Sequence, residues 1–463
     1  MLFCVSLQAF SQQTQSYSQD STLFLTLDDA LKIALSENIS VQVADCEITR
    51  SEYALKGTYA SLFPQVDVSG SYQRTIKKQV MYMDFDMSSL TGAAVGGDDT
   101  AAAAEESSSS SSGGFEVGRW NTFAPGLTAS MPLVNAQLWK SIKIAAQDVE
   151  LAVEKARASR LEMVTQVKQA FYATLLAKEA LDVYQSVLDN AIENFKSTEM
   201  RYNVQKVSEM DYNRAKTNVS NAIPNVYEAE SSVFLALWQL KAVIGLDLDT
   251  NIDIVGTLGD FSSQMLRDIA EGGEASLENN TNMRQLAIQA EELANTIKLQ
   301  QAANLPTLAV QFSYSLNAMT NDFNFSEYKW SPYSAVGFSL SIPIFAGGKR
   351  HSAIKQARIQ YDELQLQTKN TERQLRIAIQ QYLNQMETAM KSYAAAEDAV
   401  GTAQKAYSIA AESYNVGRST LTDLNDAQLA LTQAQLGVSQ TLYNYLVAKS
   451  SLEETLGNDF INE

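Results

Sequence analysis

The chain has almost none of the residues on which most enzymes and metal proteins depend. Its 463 residues include one histidine, His351, and two cysteines, Cys4 and Cys46. A zinc site needs three or four N, S or O ligands, and nucleophilic catalysis needs a base beside the nucleophile. His351 follows Lys349 and Arg350, a pattern typical of a solvated residue near a helix start. The sequence therefore predicts no enzyme, no metal and no other cofactor.

Proline, glycine and basic residues are also scarce. Average usage would give about 23 prolines and about 32 glycines in a chain of this length, whereas 7 and 21 are present. So few breakers predict long, uninterrupted elements. The chain contains 35 Lys and Arg residues and 53 Asp and Glu residues, which gives a net charge of −18. Since phosphate binding needs a basic face, a nucleic-acid partner is not expected.

The N-terminus indicates export. Residues 1–11 are similar to the apolar core of a signal peptide, with Ala9 and Ser11 as small residues before the cut, but the usual positive start is missing. We therefore expect an incomplete signal peptide; a lipid anchor at Cys4 is the alternative. No later stretch reaches about 18 uncharged apolar residues, so no transmembrane helix is predicted.

Two copies of one unit fill the chain. Tyr202, Asp211 and Gly245 recur as Tyr414, Asp423 and Gly457, about 212 positions later. The copies span about 24–247 and 271–459, and 248–270 is a linker or equatorial segment. The first copy carries about 31 extra residues, rich in Gly, Ala and Ser, which cannot bury a core. They predict an inserted extracellular loop at 76–118.

Each copy holds two segments in which apolar and polar residues alternate. Period two predicts strands, at about 65–75, 121–132, 307–317 and 333–343. About ten residues suffice to span a bilayer as a tilted strand. The polar positions are mainly Ser, Gly, Ala and Gln, which suits a water-filled lumen, although a half-buried sheet in a soluble domain shows the same alternation. Open edges are not tolerated in lipid, so a membrane-embedded chain is expected to oligomerise.

A seven-residue apolar repeat predicts long coiled-coil helices. In the second copy it runs through Ile379, Met386, Tyr393, Val400 and Tyr407, with a column of small residues three positions on. The predicted helices cover 138–202, 208–244, 349–414 and 420–456. Residues 28–61 and 280–304 form shorter amphipathic helices that complete the wall, and Pro224 is expected to kink its helix.

These features resemble the TolC-type outer membrane efflux protein family, the outer membrane factors of tripartite efflux pumps. The best local match begins at Tyr414, where a Tyr-x-Val-Gly turn is followed by Asp-x-x-Asp-Ala. The resemblance implies a mainly α fold with a membrane β-barrel: three chains, each giving four strands, form a twelve-stranded barrel continued by a tunnel of long coiled-coil helices. It places the homotrimer in the outer membrane lipid of a Gram-negative bacterium, extending into the periplasm. The implied partners are a periplasmic adaptor (membrane fusion protein) and an inner-membrane pump.

The resemblance also marks a periplasmic gate. Asp423 and Asp426 match aperture carboxylates, which would form two acidic rings around a threefold axis and raise one another's pKa. Tyr414 matches a tyrosine that helps hold the closed state, and Arg418 lies one place before the expected arginine position. The counterparts in the first hairpin are Tyr202 and Asp211.

Helix capping is a second interpretation of Asp423 and Asp211. Thr420-x-x-Asp423 and Ser208-x-x-Asp211 both have the spacing of a capping box, so capping alone remains an alternative role for these two carboxylates. Asp426 is not explained by capping.

Three functions follow. The leading one is a passive exit duct for drugs or other toxic small molecules. The others are an exit duct for type I protein secretion and a structural coiled-coil surface protein without a pore.

Overall fold

The computed structural model describes residues 22–81, 115–262 and 276–458. The predicted signal peptide and most of the predicted inserted loop lie outside the described residues. The helices are α1 (Leu27–Glu37), α2 (Ile39–Ala60), α3 (Ala136–Asn203), α4 (Glu209–Ile244), α5 (Thr281–Ala302), α6 (Lys349–Asn415) and α7 (Leu421–Leu456). The strands are β1 (Leu23–Leu25), β2 (Gln65–Arg74), β3 (Gln79–Met81), β4 (Phe115–Val117), β5 (Asn121–Val134), β6 (Ile252–Ile254), β7 (Thr307–Thr320) and β8 (Ser331–Ser341).

The chain divides into two compact units. The helical unit comprises Met1–Leu55, Ile144–Asn295 and Gln356–Glu463, and the sheet unit comprises Lys56–Lys143 and Thr296–Lys355. The longest helices, α3 and α6, have 68 and 67 residues, which at 1.5 Å per residue corresponds to about 100 Å each. Within the described residues, no helix is long and apolar enough to cross a membrane.

The sheet unit is built on one antiparallel sheet with two chemically different faces. Its strand order is β2-β5-β7-β8. The register aligns Val66 with Ala129, Ala129 with Phe312, and Phe312 with Val336, so apolar side chains share one face. On the other face Gln65, Ser130, Gln311 and Gly337 are aligned in the same way. Much of the apolar face is not covered by any described residue: Val68 is 79% exposed and Phe338 is 71% exposed.

The helical unit has the main buried core. Residues from α3, α4 and α7 pack together there, and Phe171, Leu240 and Tyr445 are at most 1% exposed. Burying each such side chain contributes about 1.5–3 kcal/mol. A short parallel pair, β1 with β6, packs on this core, with Leu25 opposite Ile254.

The structure refines several predicted boundaries. β5 and β7 extend two or three residues beyond the predicted strand ends, and β8 begins and ends two residues earlier than predicted. The predicted linker 248–270 includes a strand, β6, that pairs with the start of the first repeat. The predicted loop 76–118 opens and closes with a hairpin of β3 and β4, in which Gln79 pairs with Val117. These three-residue strands are too short for an alternation signal.

One predicted helix is divided in the structure. The predicted helix 28–61 is divided at Asn38, whose side-chain oxygen accepts from the Ser40 amide at 2.8 Å and whose amide donates to the Val243 carbonyl at 2.7 Å. Such local side-chain hydrogen bonds compete with helix continuation. α4 contains Pro224 within one continuous helical segment, and the kink expected there stays a prediction.

Candidate functional site

The candidate site lies in the helical unit, at the turns that join α3 to α4 and α6 to α7. Both turns have the same backbone geometry. The amides of Gly417 and Arg418 donate to the carbonyls of Tyr414 and Ser413, at 3.0 and 2.8 Å, which is the Schellman pattern of a helix C-terminus. In the first hairpin Gln205 and Lys206 make the equivalent bonds, both 2.8 Å. The left-handed position is glycine in one turn (Gly417, φ 76°) and glutamine in the other (Gln205, φ 56°).

Each second helix starts with a side-chain cap. The Thr420 hydroxyl donates to Asp423 Oδ2 at 2.7 Å, the Thr420 amide donates to the same oxygen at 2.9 Å, and the Asp423 amide donates back to Thr420 Oγ1 at 3.2 Å. These bonds favour the ionised carboxylate and hold the pKa of Asp423 below its usual range. Ser208 and Asp211 repeat the hydroxyl–carboxylate contact at 2.8 Å. Capping therefore accounts for the position of both aspartates, whatever further role they have.

Tyr414 is buried where α6 meets α3. It is 6% exposed and packs with Ala215, Leu421 and Leu424. Its hydroxyl lies 2.7 Å from the hydroxyl of Thr198, which is fully buried on α3. An unpaired phenol at this depth would be costly, so the hydrogen bond defines a specific contact between the two hairpins.

Arg201 adds a second contact between the same helices. Its Nη1 donates to the Tyr414 carbonyl at 2.9 Å and its Nη2 donates to the Asn415 carbonyl at 2.7 Å. Its guanidinium lies 5.2 Å from the centre of the Tyr414 ring. A cation at the C-terminus of a helix satisfies free carbonyls and interacts favourably with the helix dipole. Arg201 therefore joins the end of α3 to the end of α6.

The other predicted site residues lie on the surface of the same region. Asp423 and Asp426 are exposed on the first turns of α7. Arg418 is exposed, and its side chain makes no hydrogen bond or ion pair within the described part of the chain. Tyr202 stacks on Tyr212 with ring centres 4.9 Å apart. The structure thus brings Tyr414 to Thr198 and Arg201 rather than to Arg418.

Arg201 and Thr198 are not among the residues predicted from the sequence, although the two repeats differ at these positions. Both hairpins share the Tyr-Asn-Val sequence, but Arg201 precedes it in the first and Ser413 in the second. Thr198 likewise corresponds to Ala410. A difference in hydrogen-bonding capacity between two otherwise similar repeats indicates a candidate contact between them.

Comparisons with known proteins agree with this architecture. The chain matches the outer membrane efflux protein family over residues 30–246 and 273–458, and it belongs to that family. It is 21% identical to the outer membrane protein TolC of Vibrio cholerae, over 72% of this chain and 76% of the relative. It is 22% identical to the alkaline protease secretion protein AprF of Pseudomonas aeruginosa, over 72% and 69% of the two chains.

A solved structure shows the same fold. The CmeC outer membrane channel of Campylobacter jejuni matches with a TM-score of 0.70 at 18% identity, covering 93% of this chain and 85% of the other. The predicted fold class, mainly helical with four channel strands per chain, is confirmed. Family membership also confirms the predicted location, the outer membrane of a Gram-negative bacterium.

Proposed function

We propose that three copies of this chain form a passive exit duct through which an efflux system releases drugs or other toxic small molecules. The observation that carries the proposal is the sheet with one exposed apolar face and one polar face, since such strands suit lipid on one side and water on the other. In this arrangement the apolar face contacts lipid and the polar face lines the lumen. The chain supplies a conduit and no chemical step.

The two edges of the sheet support assembly from several copies. Within the described residues, β2 and β8 each have one strand neighbour in the four-stranded sheet. An unpaired strand edge in hydrocarbon leaves backbone groups unsatisfied at a cost of several kcal/mol each. All neighbouring strands are antiparallel, so β2 and β8 run in opposite directions. β8 of one copy can therefore pair antiparallel with β2 of the next, and three copies supply twelve strands.

The hairpin turns are proposed as the periplasmic gate. Asp423 and Asp426 are exposed and three residues apart, so they share one helix face. Repeated around a threefold axis, they form two acidic rings that favour cations. The contacts of Tyr414 with Thr198 and Arg201 hold the hairpins of one copy together in the closed state. A periplasmic adaptor and an inner-membrane pump act on this end.

Trimer formation and conductance test the proposal. The full chain extracted from outer membranes is expected to migrate as a trimer on unheated gels and to conduct ions in planar bilayers. Asp423→Asn/Asp426→Asn is expected to change the conductance and reduce cation selectivity, because the acidic rings that favour cations are lost. The matched control Asp362→Asn/Glu363→Gln, two exposed carboxylates on α6, keeps the native values. A chain that forms no pore supports the structural coiled-coil protein, and a double variant with native conductance and selectivity removes the aspartates from the gate.

Protein secretion is the second candidate because one relative, AprF, is by name a protease secretion protein. The two functions share the conduit and differ in the cargo. Deletion of the gene separates them: drug sensitivity of the cells supports small-molecule efflux, whereas retention of a secreted protein with unchanged drug tolerance supports secretion. Identifying the pump that copurifies with the chain gives an independent answer.

A further inference from the structure

An aromatic cluster lies at the end of the sheet where β2 leads to β5 and β7 leads to β8. Phe123 is its centre: its ring lies 4.8 Å from Tyr72, 5.4 Å from Phe325 and 5.5 Å from Tyr328. Tyr328 in turn lies 6.4 Å from Trp330. The α-helix ends in the sheet unit, those of α2, α3, α5 and α6, all join the opposite end of the strands. The cluster therefore marks the end of the sheet that is remote from these α-helix ends.

The cluster continues the apolar face of the sheet. Tyr72 follows Val66 and Val68 on alternate positions of β2, and it pairs with Phe123. The next residue on this face is Arg74, at the end of β2, which pairs with Asn121. Along one strand the face thus changes from aliphatic to aromatic to cationic. This is the order of environments from the hydrocarbon core through the interface to the lipid headgroups.

Further cations lie in the described parts of the segments that connect β2 to β5 and β7 to β8. Lys77 and Arg119 are exposed, and so is Lys329 beside Trp330. Lys78 lies 4.8 Å from the centre of the Trp120 ring and 3.9 Å from the Glu116 carboxylate. We call these five cations and the adjoining aromatic residues the rim; its cations are Arg74, Lys77, Lys78, Arg119 and Lys329. The same described segments also contain three carboxylates, Glu116, Asp322 and Glu327, so the five cations leave a small excess of positive charge there in a chain with a net charge of −18.

We propose that the rim, in which Arg74 extends the apolar face beyond the aromatic pair Tyr72 and Phe123, binds the phosphate groups of a phosphorylated glycolipid in the outer leaflet. The proposal rests on the proposed function, because it needs the apolar face in lipid and the helices on the periplasmic side. Arginine and lysine form charge-assisted hydrogen bonds with phosphate oxygens, while aromatic rings occupy the boundary between headgroups and acyl chains. The proposed ligand is therefore an anionic lipid that contacts the cations and the aromatic residues of the rim at the same time.

Lipid binding by the detergent-purified full chain tests the proposal. The probes are diphosphoryl lipid A and the same lipid without phosphates, each titrated to obtain a Kd. Arg74→Gln/Arg119→Gln/Lys329→Gln removes three rim cations while keeping long polar side chains. The control Lys369→Gln/Arg373→Gln/Lys405→Gln removes three exposed cations of α6 and the same total charge. Arg74→Lys/Arg119→Lys retains the charge.

We expect the rim variant to bind diphosphoryl lipid A at least tenfold more weakly, and the native chain to prefer the phosphorylated lipid by a similar factor. The control and the lysine variant bind like the native chain, and binding weakens with added salt. Equal binding by rim variant and native chain, or equal binding of both lipids, overturns the proposal. Displacement of the lipid by millimolar inorganic phosphate also overturns it, since the site then recognises free phosphate. Conductance of the same preparations separates this failure from failure of the proposed pore.

Discussion

The contact of Arg201 with the end of α6 is predicted to contribute a measurable free energy to the association of the two hairpins. Its guanidinium makes two charge-assisted hydrogen bonds, of 2.9 and 2.7 Å, to the carbonyls of Tyr414 and Asn415 at the end of α6, the first of which also accepts from the Gly417 amide. A hydrogen bond to a charged group contributes about 1.5–3 kcal/mol, and the ring contact with Tyr414 adds about 0.5–1 kcal/mol where it is partly exposed. Glutamine retains one donor, so we expect Arg201→Gln to cost about 2–3 kcal/mol locally.

Hydrogen exchange of the full chain measures this cost where it arises. A loss of about 2–3 kcal/mol corresponds to roughly 30- to 150-fold faster exchange of amides that open with the end of α6. The matched control is Arg418→Gln, because Arg418 is exposed and its side chain has no partner within the described residues. This control is expected to leave exchange unchanged. In bilayers, Arg201→Gln is expected to lengthen open periods.

A double-mutant cycle tests whether Arg201 acts through Tyr414. Tyr414→Phe removes the bond between the Tyr414 and Thr198 hydroxyls, one of the two hydrogen bonds that Thr198 makes, and is expected to cost about 1 kcal/mol. The two changes affect one joint, so their effects should be non-additive by at least about 0.5 kcal/mol. If Arg201→Gln exchanges like Arg418→Gln, or if the two effects are strictly additive, Arg201 does not stabilise the end of α6 through Tyr414.

Three further predictions concern the turns and the helical core. Gln205→Gly should stabilise the chain by about 0.5–1 kcal/mol, because a left-handed residue with a Cβ is strained. Gly417→Ala should destabilise it by about 1 kcal/mol from backbone strain alone, since the added Cβ meets open space. Thermal unfolding of both variants checks the opposite signs. The pKa of Asp423 is lower in the folded chain than in the unfolded chain, so its ionised carboxylate stabilises the fold above the unfolded pKa, and this stabilisation is lost as pH falls through the folded pKa. Asp423→Asn should therefore lower Tm at pH 7 and leave Tm unchanged in strong acid. Burial raises the pKa of Glu454, with the nearby Glu162 charge acting in the same direction, so Glu454→Gln should raise Tm at pH 7, and the gain should vanish as pH falls and the native carboxyl is protonated.

The strands and long helices were predictable because their periodicities are strong. The alternation of Val66, Val68 and Tyr72 reports one apolar face, whichever element covers it. The heptad through Met386 and Tyr393 likewise fixes which side of α6 faces its neighbours. A periodic sequence pattern does not indicate a contact that occurs only once in the chain. The pairing of β1 with β6 involves three residues on each side and joins positions more than two hundred residues apart, so no local pattern predicts it.

The site shows the same division between repeated and single features. Both hairpins have a Schellman turn and a hydroxyl–aspartate cap, because both copies retain the residues that make them. The α3 residues that join the hairpins, Thr198 and Arg201, have no counterpart in the second copy, which has Ala410 and Ser413 at these positions. Thr198 donates its proton to the Asn194 carbonyl and accepts from the Tyr414 hydroxyl, while Arg201 donates to the carbonyls of Tyr414 and Asn415. None of these bonds belongs to a Schellman turn or a cap, so the two hairpins can separate with both turns intact, as the proposed gate requires.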